Sequence, residues 1–282
     1  MIPEHDVIIV GAGFAGLYST IHAAAAGLDI LGIEAGDDVG GTWYWNRYPG
    51  ARCDVESIDY SFSFDDDLQR EWRWSERYAT QPEILRYLNH VADRFDVRRH
   101  YRFGERLSAA SWNEPEQRWD VRTESGFEAS ARWLVMATGG LSKPQLPDLA
   151  GRDTFTGTVL QTSAWPEDPV DLSGRRVAVI GTGSSGVQTI PLIAREAAEL
   201  TVYQRSANYS VPAFNRMLDD EEWQRQQKEL PRRRELSWSG AAGSPGRATP
   251  HPSRRPTSRS VPRCSRRAGR AAACSSPRPS RG

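Results

Sequence analysis

The stretch from Gly40 to Asp54, GGTWYWNRYPGARCD, gathers residue types that regular packing does not require. The rigid aromatics Trp43, Tyr44, Trp45 and Tyr48 are followed by a Pro49-Gly50 turn, and the arginines Arg47 and Arg52 lead to a terminal carboxylate, Asp54. Neither helical nor strand periodicity runs through the segment. Glycines followed by planar side chains, with charges at the far end, suit a loop lying against a large flat ligand; an aromatic-rich surface loop covering a sheet is the alternative. Two glycine turns carry a second kind of chemistry. Gly11-Ala12-Gly13-Phe14-Ala15-Gly16 and Gly181-Thr182-Gly183-Ser184-Ser185-Gly186 each have the spacing that brings backbone N–H groups at a helix start to a phosphate.

The elements that must position these turns are legible around them. Val7-Ile8-Ile9-Val10 is a β-branched apolar run, suited to a buried parallel strand, and it leads directly into Gly11. An alanine-rich helix from Leu17 to Ala26 stops at Gly27, and a strand from Leu28 to Ile33 ends at Glu34, 18 residues beyond Gly16. Strand, glycine turn, helix, strand and acid together form the dinucleotide fingerprint. Gly11 makes the tight turn, Gly13 lets backbone approach a pyrophosphate, Gly16 permits close helix–strand packing, and Glu34 accepts from a ribose hydroxyl. A glycine-rich turn without ligand is the plainer reading. The second unit repeats the plan: strand Arg176–Ile180, the turn at Gly181, a helix to about Ala198, and a strand from Leu200 to Gln204. It ends at Arg205 instead of an acid. Arginine suits a 2′-phosphate, which points to FAD at the first turn and NADPH at the second, unless Arg205 is an ordinary strand-end cation.

Between the two units lie a polar segment from Glu56 to Glu76 and a helix opening at Thr80-Gln81-Pro82-Glu83, where Thr80 and Glu83 have capping-box spacing. A β-meander over residues 102–137 follows, with strands Arg106–Trp112, Trp119–Thr123 and Ala131–Ala137, then a small-residue turn at Ala137-Thr138-Gly139-Gly140. His90 and His100 have no partner at metal or catalytic spacing, so no metal site is expected.

The formal net charge is zero, yet the last 46 residues, Ser237 to Gly282, contain ten arginines and no acids, leaving 26 basic against 36 acidic residues in 1–236. The body is acidic, which argues against nucleic-acid binding. Cys53 is its lone cysteine, so no disulfide framework is available, and no apolar run is long enough to span a membrane. A cytoplasmic protein is the expectation. Residues 237–282, rich in Ser, Arg, Pro, Ala and Gly, read as a disordered tail; a functional basic tail is the competing reading.

With the loop and both glycine motifs in place, the chain resembles the flavin-dependent Baeyer–Villiger monooxygenases. Gly40-Gly41-Thr42-Trp43 through Tyr48-Pro49-Gly50 to Asp54 satisfies the family pattern [A/G]GxWxxxx[F/Y]P[G/M]xxxD. The second family pattern, FxGxxxHxxxWP, is met from Phe155 through Gly157 to Trp165-Pro166, except that Gln161 stands at the histidine position. The resemblance covers roughly residues 5 to 220. It implies an α/β fold with two Rossmann-type dinucleotide-binding units, the second incomplete, and a β-meander insertion. The domains would be 1–150 for FAD, 151–236 for NADP and 237–282 as the tail.

By resemblance, FAD sits on Gly11, Gly13, Gly16 and Glu34, with Thr42, Trp43, Asp54 and Tyr60 at its isoalloxazine end and Leu107 near its adenine. NADPH contacts Gly183, Ser184, Ser185, Gly186, Arg205 and Ser206, with Arg52 and Asp54 near the nicotinamide. The implied reaction is NADPH-dependent insertion of one oxygen from O2 beside a ketone carbonyl through a C4a-peroxyflavin, with Asp54 orienting a cationic partner or acting only as a hydrogen-bond acceptor. Gln161 hydrogen-bonds but cannot become cationic. The family chain continues beyond this point, so the expectation is a truncated, weakly FAD-retaining protein. An N- or S-oxygenating flavin enzyme and a nonenzymatic nucleotide-binding remnant are the rival readings.

Overall fold

The computed structural model describes residues 2–239; the tail expected over 237–282 lies outside these from residue 240 onward. Compactness divides the described chain into one unit of residues 2–169 and 211–239 and another of 170–210. By compactness 151–169 and 211–239 pack with the first unit, whereas the sequence division by nucleotide places them, up to 236, with the second.

The first unit is built on β1 (Glu4–Val10), whose Ile8 and Ile9 are fully buried. After the glycine turn come α1 (Phe14–Ala25) and β2 (Ile30–Ile33), then a helical turn α2 (Thr42–Trp45), α3 (Asp66–Glu71) and α4 (Gln81–Arg94). β3 (Tyr101–Arg102), β4 (Leu107–Asn113), β5 (Arg118–Thr123) and β6 (Glu128–Met136) complete a six-stranded sheet of order β3-β2-β1-β6-β5-β4. β1 is parallel to both β2 and β6, with Val7 opposite Ile30 and Trp133, while β5 runs antiparallel to β6 and β4. The architecture is mixed α/β with parallel and antiparallel strands. The meander expected as an insertion is continuous with the main sheet: its last strand is a parallel neighbour of β1, and only β4 and β5 extend beyond it.

Burial explains the placement. Leu17 and Ile21 of α1 pack into one cluster with Ile84, Leu88 and Val91 of α4, and each such side chain contributes roughly 1.5–3 kcal/mol on burial. Gly32 of β2 lies under the Tyr101 ring: a Cβ added there would meet ring carbons at 2.5 Å. Local detail adds one element and corrects one expectation. The polar segment 56–76 contains α3, whose first turn is capped by Asp65 accepting from the Leu68 N–H at 2.7 Å. Thr80 stands at the N-cap of α4 but makes no side-chain cap bond, the Glu83 N–H going to its carbonyl at 3.1 Å. The reciprocal half of the box is missing too, because the Glu83 carboxylate is turned to the Ser75 backbone N–H and hydroxyl at 2.7 and 2.8 Å.

The first unit ends with α6 (Asp220–Ser239), which takes in the first residues assigned to the tail. Its Arg233 and Arg234 reach the 56–69 segment, Arg233 to Asp59 and Glu56 and Arg234 to Ser61 and Gln69. The second unit pairs β7 (Arg176–Ile180) in parallel with β8 (Glu199–Tyr203) through α5 (Ser184–Glu196), with Val177 opposite Leu200. Its strands are open to solvent, Ile180 being 67 % exposed. Among the described residues no helix is long and apolar enough to cross a membrane.

Candidate functional site

Glycine geometry shapes the first turn. Gly11 has φ +102°, and an ideal Cβ on it would lie 2.6 Å from the Ala137 carbonyl oxygen, so the small-residue turn after β6 presses directly on it. A Cβ on Gly16 would lie 1.9 Å from the Gly11 carbonyl oxygen, which brings α1 close to the turn. Tyr101 braces this approach from below, its hydroxyl donating to the Gly11 carbonyl at 3.1 Å and sharing a 3.1 Å hydrogen bond with Thr20. Nothing in the local sequence around Tyr101 marks that role. Burial pushes its hydroxyl pKa far up, so it stays a neutral donor.

Glu34 follows β2 and is buried, its carboxylate accepting the Ala12 N–H at 2.6 Å and the Gly36 N–H at 2.8 Å. Each oxygen keeps a further lone pair for another donor. The α1 N-cap is Gly13 with no side-chain cap, so the first-turn N–H groups are left for an anion.

The aromatic segment lies against this turn. The Gly40 N–H donates to the Ala12 carbonyl at 2.9 Å, and a Cβ on Gly41, whose φ is +52°, would meet the Gly13 Cα at 2.6 Å. Thr42 then opens α2, a helical turn where loop was expected. Trp43 is buried, its indole N–H donating to the Tyr60 hydroxyl at 3.1 Å and its carbonyl accepting from Gln81. Tyr60 meets Phe14 edge-on with ring centroids 4.9 Å apart, and burial raises its pKa.

Arg52 pairs with Glu76 at 3.5 Å, and Glu76 also accepts from Asn215. Asp54 is exposed, next to buried Cys53, whose thiol is pushed up to about 11 by burial, with the Asp54 charge adding to the rise. That thiol is neutral at physiological pH. Leu107 begins β4 and packs against the cluster of Ile8 and Val121. Arg47 forms an ion pair with Glu167, just past Trp165-Pro166, and Gln161 donates to the Gln145 carbonyl at 2.9 Å. Gly11, Gly13, Gly16 and Glu34 thus form one turn, Gly40 and Gly41 set the exposed Thr42 and the buried Trp43 beside it, and Tyr60 reaches it through Phe14, while Leu107 stands in the antiparallel extension of the sheet.

In the second unit Gly181 has φ +103° and its N–H donates to the Tyr203 carbonyl at 2.9 Å, as the Gly11 N–H donates to the Ile33 carbonyl at 2.8 Å. The residue corresponding to Glu34 is consequently Gln204, and Arg205 stands one position further on, which corrects the pairing of Glu34 with Arg205. Gly183 caps α5 without a side-chain bond, and Ser184, Ser185 and Gly186 form the first helical turn. Arg205 and Ser206 are exposed beyond β8.

Residues 8–223 match the family model described as pyridine nucleotide-disulphide oxidoreductase, and the chain belongs to this family. Among its relatives is a Baeyer–Villiger monooxygenase of Pseudooceanicola batsensis, 50 % identical over 219 residues, which are 77 % of this chain and 40 % of the relative. A solved oxidized steroid monooxygenase bound to NADP superposes with a TM-score of 0.83 at 56 % identity, over 88 % of this chain and 47 % of that one. A complex of OTEMO with FAD and NADP gives a TM-score of 0.82 at 43 % identity, over 87 % and 47 % of the two chains. The motif-based resemblance to Baeyer–Villiger monooxygenases thus holds across the whole matched region. The chain spans less than half the length of these relatives.

Proposed function

We propose that these residues are the nucleotide-binding part of a Baeyer–Villiger-type flavin monooxygenase, with FAD on the first glycine turn and NADPH on the second. The finer fold reading goes with it: two Rossmann-type units, assigned by nucleotide to 1–150 for FAD and 151–236 for NADP, although 151–169 and 211–239 pack with the first. The observation that carries the proposal is the seating of Gly40 and Gly41 on Ala12 and Gly13. It couples the most specific sequence motif to a phosphate-binding turn. When bound, the flavin supplies oxygen activation, and NADPH supplies its reducing equivalents.

This chain's residues bind and orient. Uncapped N–H groups of α1 face the pyrophosphate, and Glu34 accepts from a ribose hydroxyl while fixing Ala12. Thr42, Trp43 and Tyr60 form the isoalloxazine wall, its rings held by the indole-to-phenol hydrogen bond. Arg52 and Asp54 serve the nicotinamide end, and Gly183 to Gly186, Arg205 and Ser206 take the second nucleotide. Oxygenation of a ketone by O2 is proposed for the complete enzyme; the ketone itself is not specified by these residues.

The absorption spectrum of the purified 282-residue chain tests the first step. A weak bound-flavin band, strengthened by added FAD, is the expected result for a weakly retaining chain, and a protein that takes up no added FAD would refute it. Product analysis of the complete enzyme on a ketone, a thioether and a tertiary amine separates lactone or ester formation from N- or S-oxygenation.

Two substitutions extend the test. Arg205→Ala should lower the preference for NADPH over NADH by about 1–3 kcal/mol, the scale of a charge-assisted hydrogen bond. Equal affinities before substitution would remove the argument. Asp54 is exposed, so Asp54→Ala should change stability by no more than about 0.5 kcal/mol while damaging turnover of the complete enzyme. Unchanged product formation would exclude a catalytic role.

A further inference from the structure

The two glycine turns share their backbone but differ in what holds the middle residue. In the first, Ala12 is fixed through its N–H by the Glu34 carboxylate and through its carbonyl by the Gly40 N–H. In the second, the middle residue is Thr182. Its hydroxyl accepts from the Gln204 side-chain amide at 2.7 Å, and its carbonyl accepts from the side-chain amide of Asn208. A neutral amide has replaced the carboxylate, and a side chain from beyond β8 has replaced the backbone of the aromatic segment.

We propose that Gln204 and Asn208 brace the Gly181–Gly183 turn, and that Gln204, as the uncharged occupant of the ribose corner, is a specificity-determining residue for a 2′-phosphorylated nucleotide. This inference rests on the second turn being a pyridine-nucleotide site.

The physical argument separates three roles. A carboxylate at the Glu34 position suits a ribose with a free 2′-hydroxyl, which donates to it. The same carboxylate facing a 2′-phosphate is a like-charge contact. Gln204 removes that repulsion, and its hydrogen bond to Thr182 keeps the amide in place. Attraction comes separately from Arg205, one residue on. Asn208 touches neither distinction: it holds the Thr182 carbonyl, and so the direction of the turn's N–H groups, which serve the pyrophosphate common to both nucleotides. The Gly181 end of the turn is held by its N–H on the Tyr203 carbonyl and by Gly186 lying against its own carbonyl, whereas nothing lies within 4 Å of a Cβ added at Gly183, so the Thr182 peptide between them depends on its side-chain hydrogen bonds.

The experiment measures NADPH and NADH binding to the full chain by titration, for the starting protein and the variants Gln204→Glu and Asn208→Ala. Gln204→Glu should weaken NADPH by about tenfold or more, and leave NADH unchanged or tighter. Asn208→Ala should weaken both nucleotides by a similar factor of about five, the effect of one neutral hydrogen bond. Equal effects of Gln204→Glu on the two nucleotides, or a changed ratio in Asn208→Ala, would overturn the assignment. If the starting chain binds neither nucleotide, the nucleotide reading itself fails. The brace is then decided by hydrogen exchange: Asn208→Ala should deprotect the Gly181 amide, which donates to the Tyr203 carbonyl, while leaving Val177–Val179 in β7 unchanged, and equal protection in both proteins would refute it.

Discussion

Gly16→Ala is expected to destabilise the first unit by about 3 kcal/mol and to abolish FAD uptake. The added Cβ would lie 1.9 Å from the Gly11 carbonyl oxygen, 2.8 Å from its carbon and 3.0 Å from the Tyr101 hydroxyl. None of these can yield cheaply. Gly11 is held by its N–H on Ile33, by the Tyr101 hydroxyl on its carbonyl, and by Ala137 pressing against its Cα side. The helix must therefore move outward, and Leu17 and Ile21 lose their seats in the core. Alanine's advantage over glycine inside a helix, about 1 kcal/mol, acts in the opposite direction and is outweighed. Denaturant midpoints and flavin uptake read the result; an unchanged midpoint would show that the close approach is not rigid. Gly183→Ala is the control for steric cost: φ there is −69° and no atom lies within 4 Å of the added Cβ, so only the loss from alanine at a helix N-cap, about 1 kcal/mol or less, should appear.

What the sequence discloses divides along physical lines. The strand–turn–helix–strand units are local, dictated by β-branched runs and by glycines whose positive φ other residues resist, so both glycine turns are readable from the chain. Sheet order is not local. That β6 lies parallel beside β1, with Trp133 opposite Val7, depends on which apolar faces meet, and an alternating run cannot announce its partner. Trp43 shows a similar limit: an aromatic beside glycines suggests a ligand wall, but the ring's buried position and its bond to Tyr60 come from packing across the unit. Thr80 and Glu83 have the spacing of a reciprocal cap, yet Ser75 offers Glu83 two donors and wins. A strand end is uncertain by a residue from sequence. That single residue is the difference between Arg205 and Gln204 as the counterpart of Glu34. Arg233 and Arg234 look like solvated charges on a polar helix until the fold sets carboxylates and carbonyls against them.

Arg233→Ala is therefore the second substitution expected to have a large effect. The Arg233 guanidinium holds Asp59 at 3.1 and 2.5 Å and Glu56 at 2.9 Å, and the Asp59 side chain is only 5 % exposed. Truncation removes the fork and leaves a nearly buried carboxylate without its countercharge, at a cost of about 3 kcal/mol. Arg233→Lys should recover part of this, since an ammonium restores charge but not the two-pronged geometry. The loss should have a pH signature. Burial pushes the Glu56 carboxyl up, but hydrogen bonds and charge from Arg77 and Arg233 outweigh it and hold the group below its ordinary value of 4.5. A depressed folded pKa stabilises above the unfolded value, and that contribution is lost as pH falls through the folded one. The difference between the starting protein and Arg233→Ala should thus be greatest above about pH 4.5 and shrink on further acidification. Asp59 precedes Tyr60, whose hydroxyl holds the Trp43 indole, so the variant should also bind FAD more weakly at neutral pH. Urea midpoints at about pH 7 and about pH 3 settle the matter. A stability loss that is equal at both, or absent at neutral pH, would mean that α6 is held by its apolar contacts and not by this ion pair.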